Sequence, residues 1–160
     1  LDSVIETLKE MGADLEIGED FIKTKKCELV GANVDTAPYP GFPTDVQAQM
    51  MALMCLVKGK SIVSENIFEN RFMHVPELIR MGAKIELKGN NAIIEGVDFL
   101  SAAPVMCTDL RASAALVLAS IVAKGDSEVT RIYHLDRGYD DIDNKIKNLG
   151  AKVNRVNIPM

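Results

Sequence analysis

One spacing recurs along the chain and limits its fold more than any single motif does. Asp45 and Asp109 stand 64 residues apart, Gly59 and Gly125 66, and Arg71 and Arg137 66, while Gly12, Gly82 and Gly150 follow one another at 70 and 68. Four landmarks at nearly one period mark a duplicated module, each copy a supersecondary unit that buries its apolar face against the next. The period divides the chain into the tail of a first module (1–31), a second module (32–95) and a third (96–160). No linker or low-complexity segment separates the copies, so residues 1–160 are expected to pack as one globular body.

Local patterns fill in the module. Leu1, Val4, Ile5, Leu8 and Met11 recur at helical spacing and Gly12 supplies a left-handed stop. Residues 13–17 and 21–24 read as strands about the polar turn Gly18-Glu19-Asp20. The second module reads as a strand over 32–36, a helix over 46–57, a strand over 61–65, a helix over 74–81 with Pro76 in its first turn, and a hairpin of 84–87 with 92–95. In the first of these helices Val46, Met50, Leu53, Met54 and Val57 share a face, and Ala48, Ala52 and Cys55 make most of the remainder apolar, which predicts burial on nearly all sides. Its methionines read as adaptable core filling rather than a ligand lining, and Cys55 as a small core residue. The third module repeats the order: strand 102–106, helix 109–123, strand 128–132, loop 133–138, helix 140–149, strand 152–156. Each module is therefore β-α-β-α-β-β, an α/β (α+β) arrangement.

The chemistry concentrates at two helix starts. Pro40 and Pro43 stiffen Tyr39-Pro40-Gly41-Phe42-Pro43, and Thr44 with Gln47 three residues later reads as a capping box. Asp45 then falls in the first helical turn, where free backbone N–H groups and the helix dipole favour a carboxylate. Cys107-Thr108-Asp109-Leu110-Arg111 opens the second apolar helix in the same way. Beside each start stands a loop ending in arginine: residues 67–71 with Arg71, and Tyr133-His134-Leu135-Asp136-Arg137. Two carboxylates with Arg71, Arg111 and Arg137 suit the holding of a small polyanion while a proton moves. They suit equally a set of Asp–Arg pairs stitching the modules together, and spacing does not choose between the two. The loop at Ile67-Phe68-Glu69-Asn70-Arg71-Phe72 either offers its aromatics to a ligand or turns both rings inward with Arg71 beside Glu69. His74 reads as a satisfied surface or capping histidine.

Composition removes several classes. A net charge of −5 is unlike a nucleic-acid surface. Apolar runs broken by Lys58 and Lys124 are too short for a membrane span, and no export leader opens the sequence. Cys27, Cys55 and Cys107 are spaced for neither a zinc site nor a disulfide framework, so a reducing, cytoplasmic setting is expected. With 48% hydrophobic residues the chain can bury a core, and a start directly on a helical pattern reads as a piece of something longer.

The motifs YPGFPTD-QAQ at 39–49, ENRFMHVPEL-RMGA at 69–83, TDLRAS at 108–113 and RIYH-DRGY at 131–139 closely resemble the UDP-N-acetylglucosamine enolpyruvyl transferase (1-carboxyvinyltransferase) family over essentially the whole chain. The resemblance implies an inside-out α/β barrel domain of β-α-β-α-β-β modules, grouped in threes in each of two domains with the active site in the cleft between them. It implies the first committed step of peptidoglycan synthesis, in which the sugar 3′-hydroxyl adds to C2 of phosphoenolpyruvate, C3 is protonated and phosphate leaves. No metal or other cofactor is implied. Residue by residue, Asp45 matches an active-site aspartate available as base, and Ile67 and Phe68 match the loop contacting UDP-N-acetylglucosamine. Arg71, Arg111 and Arg137 match arginines of the phosphoenolpyruvate and phosphate region, and Asp109 matches a second, positional active-site acid. The family's lysine–asparagine pair and mobile cysteine loop have no counterpart in this sequence. Cys107 belongs to the TDLRAS helix start, so the partner expected is the missing domain, and the chain by itself is expected to be inactive. The sister transferase acting on shikimate 3-phosphate shares the fold and reaction but not the wording at 70–81. A non-catalytic fragment of the fold is the remaining alternative.

Overall fold

Two parallel β-α-β crossovers form the centre of the molecule, and each follows from a short strand that reaches its neighbour only through a helix. Strand β3 (Asn33–Asp35) leads through α2 (Gln47–Met54) to β4 (Lys60–Ser64), and β7 (Pro104–Met106) through α4 (Leu110–Val122) to β8 (Glu128–Thr130). The computed structural model describes residues 1–156. Ahead of the crossovers lie α1 (Asp2–Glu10) and the antiparallel hairpin β1 (Asp14–Ile17) with β2 (Ile22–Lys25). After β4 come α3 (Val75–Arg80) and the hairpin β5 (Lys84–Lys88) with β6 (Asn91–Glu95), and after β8 come α5 (Tyr133–Asp136) and α6 (Ile142–Asn148).

The apolar circumference of α2 has a simple cause: α4 lies along one side of it and the sheet of β3, β4, β6 and β5 along another. Met50, Met51, Ala52, Met54 and Cys55 are buried, and they meet Val63, Ile94, Leu78, Ala115, Leu116 and Ala119 in a common core. The methionines fill that core, and Cys55 donates its thiol to the Met51 carbonyl, burial pushing its pKa up to about 12. Helices α2 and α4 are thus inside, while β5 lies outside with every residue but Ile85 exposed. Among the described residues the strands form three separate sheets, none of them closed.

The internal period is visible in backbone hydrogen bonds. Val30 N–H donates to Met11 and Ser101 N–H to Met81, Lys58 to Leu29 and Lys124 to Leu100, Gly31 to Lys58 and Ala102 to Lys124. Gly12, Gly82 and Gly150 end helices at φ of 93°, 95° and 98°, conformations that favour glycine. Between the two crossovers the chain is tied to both: Gly96 and Val97 donate to Gly59 and Cys55, and Ser101 and Ala102 to Met81 and Lys124. A Cβ on Gly96 would lie 1.6 Å from the Val57 carbonyl oxygen, so only glycine permits this approach.

Two expectations fail. Residues 133–136, read as loop, form the helical turn α5, because Leu135 is buried against α4 and ties the segment down. Residues 152–156, read as a strand, form no strand and pair with none among the described residues. In the second module β5 is a strand because β6 pairs with it, and among the described residues of the third module nothing plays the part of β6. Arg155 holds the segment instead, through a fork to Asp136 at 2.8 and 2.9 Å and a contact to Asp143 at 3.1 Å.

Candidate active site

Asp45 lies in a short 3-10 turn, Thr44–Val46, that precedes α2. The capping box expected there does not form. Thr44 Oγ1 instead donates to Glu65 Oε2 at 2.8 Å, and Gln47 is buried within the helix start. Among the described residues no backbone N–H donates to the Asp45 carboxylate, which is 65% exposed and held by guanidiniums. Arg111 donates from Nε to Asp45 Oδ1 at 2.6 Å, with Nη2 also at 2.6 Å, and Arg71 Nη1 stands 3.7 Å from the same oxygen. Among the described residues Oδ2 has no hydrogen-bond partner, so one oxygen is anchored and the other is available.

Asp109 plays a different part despite its equivalent position. It is the N-cap of α4, its Oδ1 accepting from the backbone N–H of Arg111 at 2.9 Å and of Ala112 at 3.0 Å. Ser113 Oγ donates to the Asp109 carbonyl. The cap fixes the first turn of α4, and with it the base of the Arg111 side chain.

Loop 65–73 resolves the ambiguity over its aromatics: Phe72 packs against the core, while Phe68 is 50% exposed. The Arg71 guanidinium stacks on the Phe68 ring at 4.1 Å, a cation–π contact that aims it toward Asp45. Glu69 is not its partner among the described ion pairs. Beside Ile67, Phe68 and Arg71 opens a cavity of about 910 Å³, lined also by Leu87 and Asn90 of the β5–β6 hairpin.

Arg137 is exposed at the end of α5 and makes no ion pair among the described residues. Its neighbour Gly138 packs on Leu110 at the start of α4, and Tyr139 Oη approaches Gln49 Nε2 of α2 at 3.5 Å. The structure thus joins Asp45, Arg71 and Arg111 directly, sets Asp109 behind Arg111, and places Arg137 on an adjoining segment without contact to Asp45.

Two groups were misread or missed. Glu65, counted only as a strand end, is a buried carboxylate, 4% exposed. A glutamate closing a strand ordinarily points to water, and two of its donors, Thr36 and Thr44, lie 29 and 21 residues away. His74 is not at the surface: its ring is buried, with Nε2 3.3 Å from Met51 Sδ. Burial lowers its pKa from 6.5 to about 4, the Asp109 charge acting weakly the other way. The unfolded chain takes up this proton near pH 6.5 and the folded one only near pH 4, so His74 costs stability as pH falls through that window. Relative to His74→Leu, the protein is expected to lose about 3 kcal/mol between pH 7 and pH 4. Urea unfolding of both proteins across that range measures it, and a constant difference refutes it.

A family profile described as EPSP synthase (3-phosphoshikimate 1-carboxyvinyltransferase) matches residues 1–146. The chain is 55% identical over 161 residues to a UDP-N-acetylglucosamine 1-carboxyvinyltransferase of Xylella fastidiosa strain 9a5c, covering 98% of this chain and 37% of that protein. Against the protein of the same name from Vibrio vulnificus strain CMCP6 it is 57% identical over 157 residues, 97% of this chain and 37% of that one. The crystal structure of the enolpyruvyl transferase NikO from Streptomyces tendae superposes with a TM-score of 0.86 at 26% identity, over 95% of this chain and 36% of that one. The chain thus spans 37% of the length of these two curated relatives.

Proposed function

The chain belongs to the EPSP synthase (3-phosphoshikimate 1-carboxyvinyltransferase) family, and from that premise we propose that it supplies one wall of an active site moving the enolpyruvyl group of phosphoenolpyruvate to the 3′-hydroxyl of UDP-N-acetylglucosamine. The observation that carries this reading is the single Asp45 oxygen held between Arg111 and Arg71. Identity of 55–57% to relatives named for that acceptor supports it over shikimate 3-phosphate.

In this reading Asp45 Oδ2 takes the proton of the sugar hydroxyl as the hydroxyl oxygen bonds to C2 of phosphoenolpyruvate, and the C2–C3 π electrons take a proton at C3. The tetrahedral adduct then loses a proton from C3 and expels phosphate, restoring the double bond. Arg111, Arg71 and Arg137 meet the substrate's phosphate and carboxylate, planar forks being suited to such anions. Asp109 keeps Arg111 in place, and the Ile67–Phe68 segment meets the sugar nucleotide. The rest of the cleft comes from a further domain, the modules divide after residues 31 and 95, and the product feeds cell-wall synthesis in the cytoplasm. No helix among the described residues is long and apolar enough to cross a membrane.

A full-length transferase carrying this segment tests the reading: it is expected to release phosphate from phosphoenolpyruvate with UDP-N-acetylglucosamine and not with shikimate 3-phosphate. Release only with the latter overturns it. Arg137→Ala in that protein is expected to raise KM for phosphoenolpyruvate by ~10- to 100-fold, the worth of one or two charge-assisted hydrogen bonds. An unchanged KM removes Arg137 from the anion site.

A further inference from the structure

Glu65 closes β4 and faces inward, where an ionised carboxylate is costly unless donors surround it. Four do. Oε1 accepts from Thr36 Oγ1 at 2.9 Å, Ile67 N–H at 3.0 Å and Phe68 N–H at 3.2 Å, and Oε2 from Thr44 Oγ1 at 2.8 Å. Thr36 Oγ1 in turn accepts from Asn66 N–H at 2.8 Å.

These donors share a position. Thr36 follows β3, Thr44 immediately precedes Asp45, and Ile67 and Phe68 begin the loop that carries Arg71. The two carboxylate oxygens therefore clasp, from behind, the two backbone segments whose side chains meet at the Asp45 to Arg71 contact of 3.7 Å. Glu65 borders the cavity beside Ile67 and Phe68, but both its oxygens are taken up by these donors and not turned to a ligand. A buried charge shared among separate segments fixes their spacing more firmly than apolar filling does, because each donor has one direction and one distance to satisfy.

We infer that Glu65 is a positioning residue, a buried carboxylate that sets the distance between the base Asp45 and the Phe68–Arg71 loop by holding Thr44 with one oxygen and the Ile67 and Phe68 amides with the other. The inference rests on the function proposed above. It divides the work of Glu65 in two: loss of the Oε2 contact disturbs Asp45 and so turnover, and loss of the Oε1 contacts loosens the nucleotide loop and so KM.

The test uses a full-length transferase carrying this segment, with the Glu65→Gln and Thr44→Val variants. Glu65→Gln is expected to lower kcat by up to ~10²-fold, the effect of a misplacement near 1 Å, and to raise KM for UDP-N-acetylglucosamine. The Ile67 and Phe68 amides exchange with deuterium faster in this variant, with the melting temperature little changed. Thr44→Val is expected to lower kcat while leaving that KM alone, and it carries the test if Glu65→Gln does not fold. Values of kcat and KM within twofold of wild type in the folded Glu65→Gln protein overturn the inference, as does a loss that tracks the folded fraction alone. If the unsubstituted protein releases no phosphate, the function proposed above has failed, and the exchange rates of Ile67 and Phe68 decide the clasp by themselves.

Discussion

Asp45→Asn in a full-length transferase carrying this segment is expected to cut turnover by ~10²- to 10⁴-fold, the usual cost of losing a positioned proton acceptor. The Kd of UDP-N-acetylglucosamine is expected to change little by comparison. The split follows from the geometry. Asn keeps one oxygen in the place of Oδ1, where Arg111 donates at 2.6 Å, so the side chain stays anchored. What it loses is the second oxygen, which among the described residues has no hydrogen-bond partner and which alone can take a proton from a hydroxyl beside it. Steady-state turnover and an equilibrium titration with the nucleotide separate the two effects. Intact turnover with a raised Kd would make Asp45 a binding residue and end its assignment as base.

The second large effect is a complete loss. The 160-residue chain expressed by itself is expected to release no phosphate from phosphoenolpyruvate and UDP-N-acetylglucosamine. Asp45 is 65% exposed and Phe68 50%, so water reaches the reacting groups from one side. Electrostatic stabilisation of a developing charge is weak where solvent competes for it. The two curated relatives compared above are also far longer, this chain spanning 37% of each. A phosphate-release assay on the purified chain decides the matter, and a rate near that of a full-length transferase would show that these residues suffice.

Some of this was legible in the sequence and some was not, for reasons of range. The burial of α2 on nearly all sides, the order of elements along residues 32–95 and the helix stops at Gly12, Gly82 and Gly150 are written in periodicities only a few residues long. The site residues stood out because they repeat, yet the repeat overstated their likeness. Asp109 caps its helix through its own backbone neighbours, whereas Asp45 is held by Arg111 from the other module, 66 residues away. Thr44 looked like a cap because Gln47 follows it, but a buried carboxylate 21 residues on is the stronger partner. Glu65 carried no local signal at all. Residues 152–156 have the pattern of a strand without the neighbour that would make them one, since pairing is a property of two segments.

The tie between the two crossovers bears on how such a chain can be cut and recombined. Gly96, Val97, Ser101 and Ala102 spend their amides on both flanking modules, while α2 and α4 complete each other's cores. A break in that stretch, by a protease or by a gene fusion, would divide a single interior rather than release two folded halves. Exchange of segments with a relative is expected to succeed when α2 and α4 travel together, with the joint placed in an exposed turn outside them such as Glu19–Asp20 between β1 and β2. Under such cuts the two crossovers are expected to behave as one body with one interior.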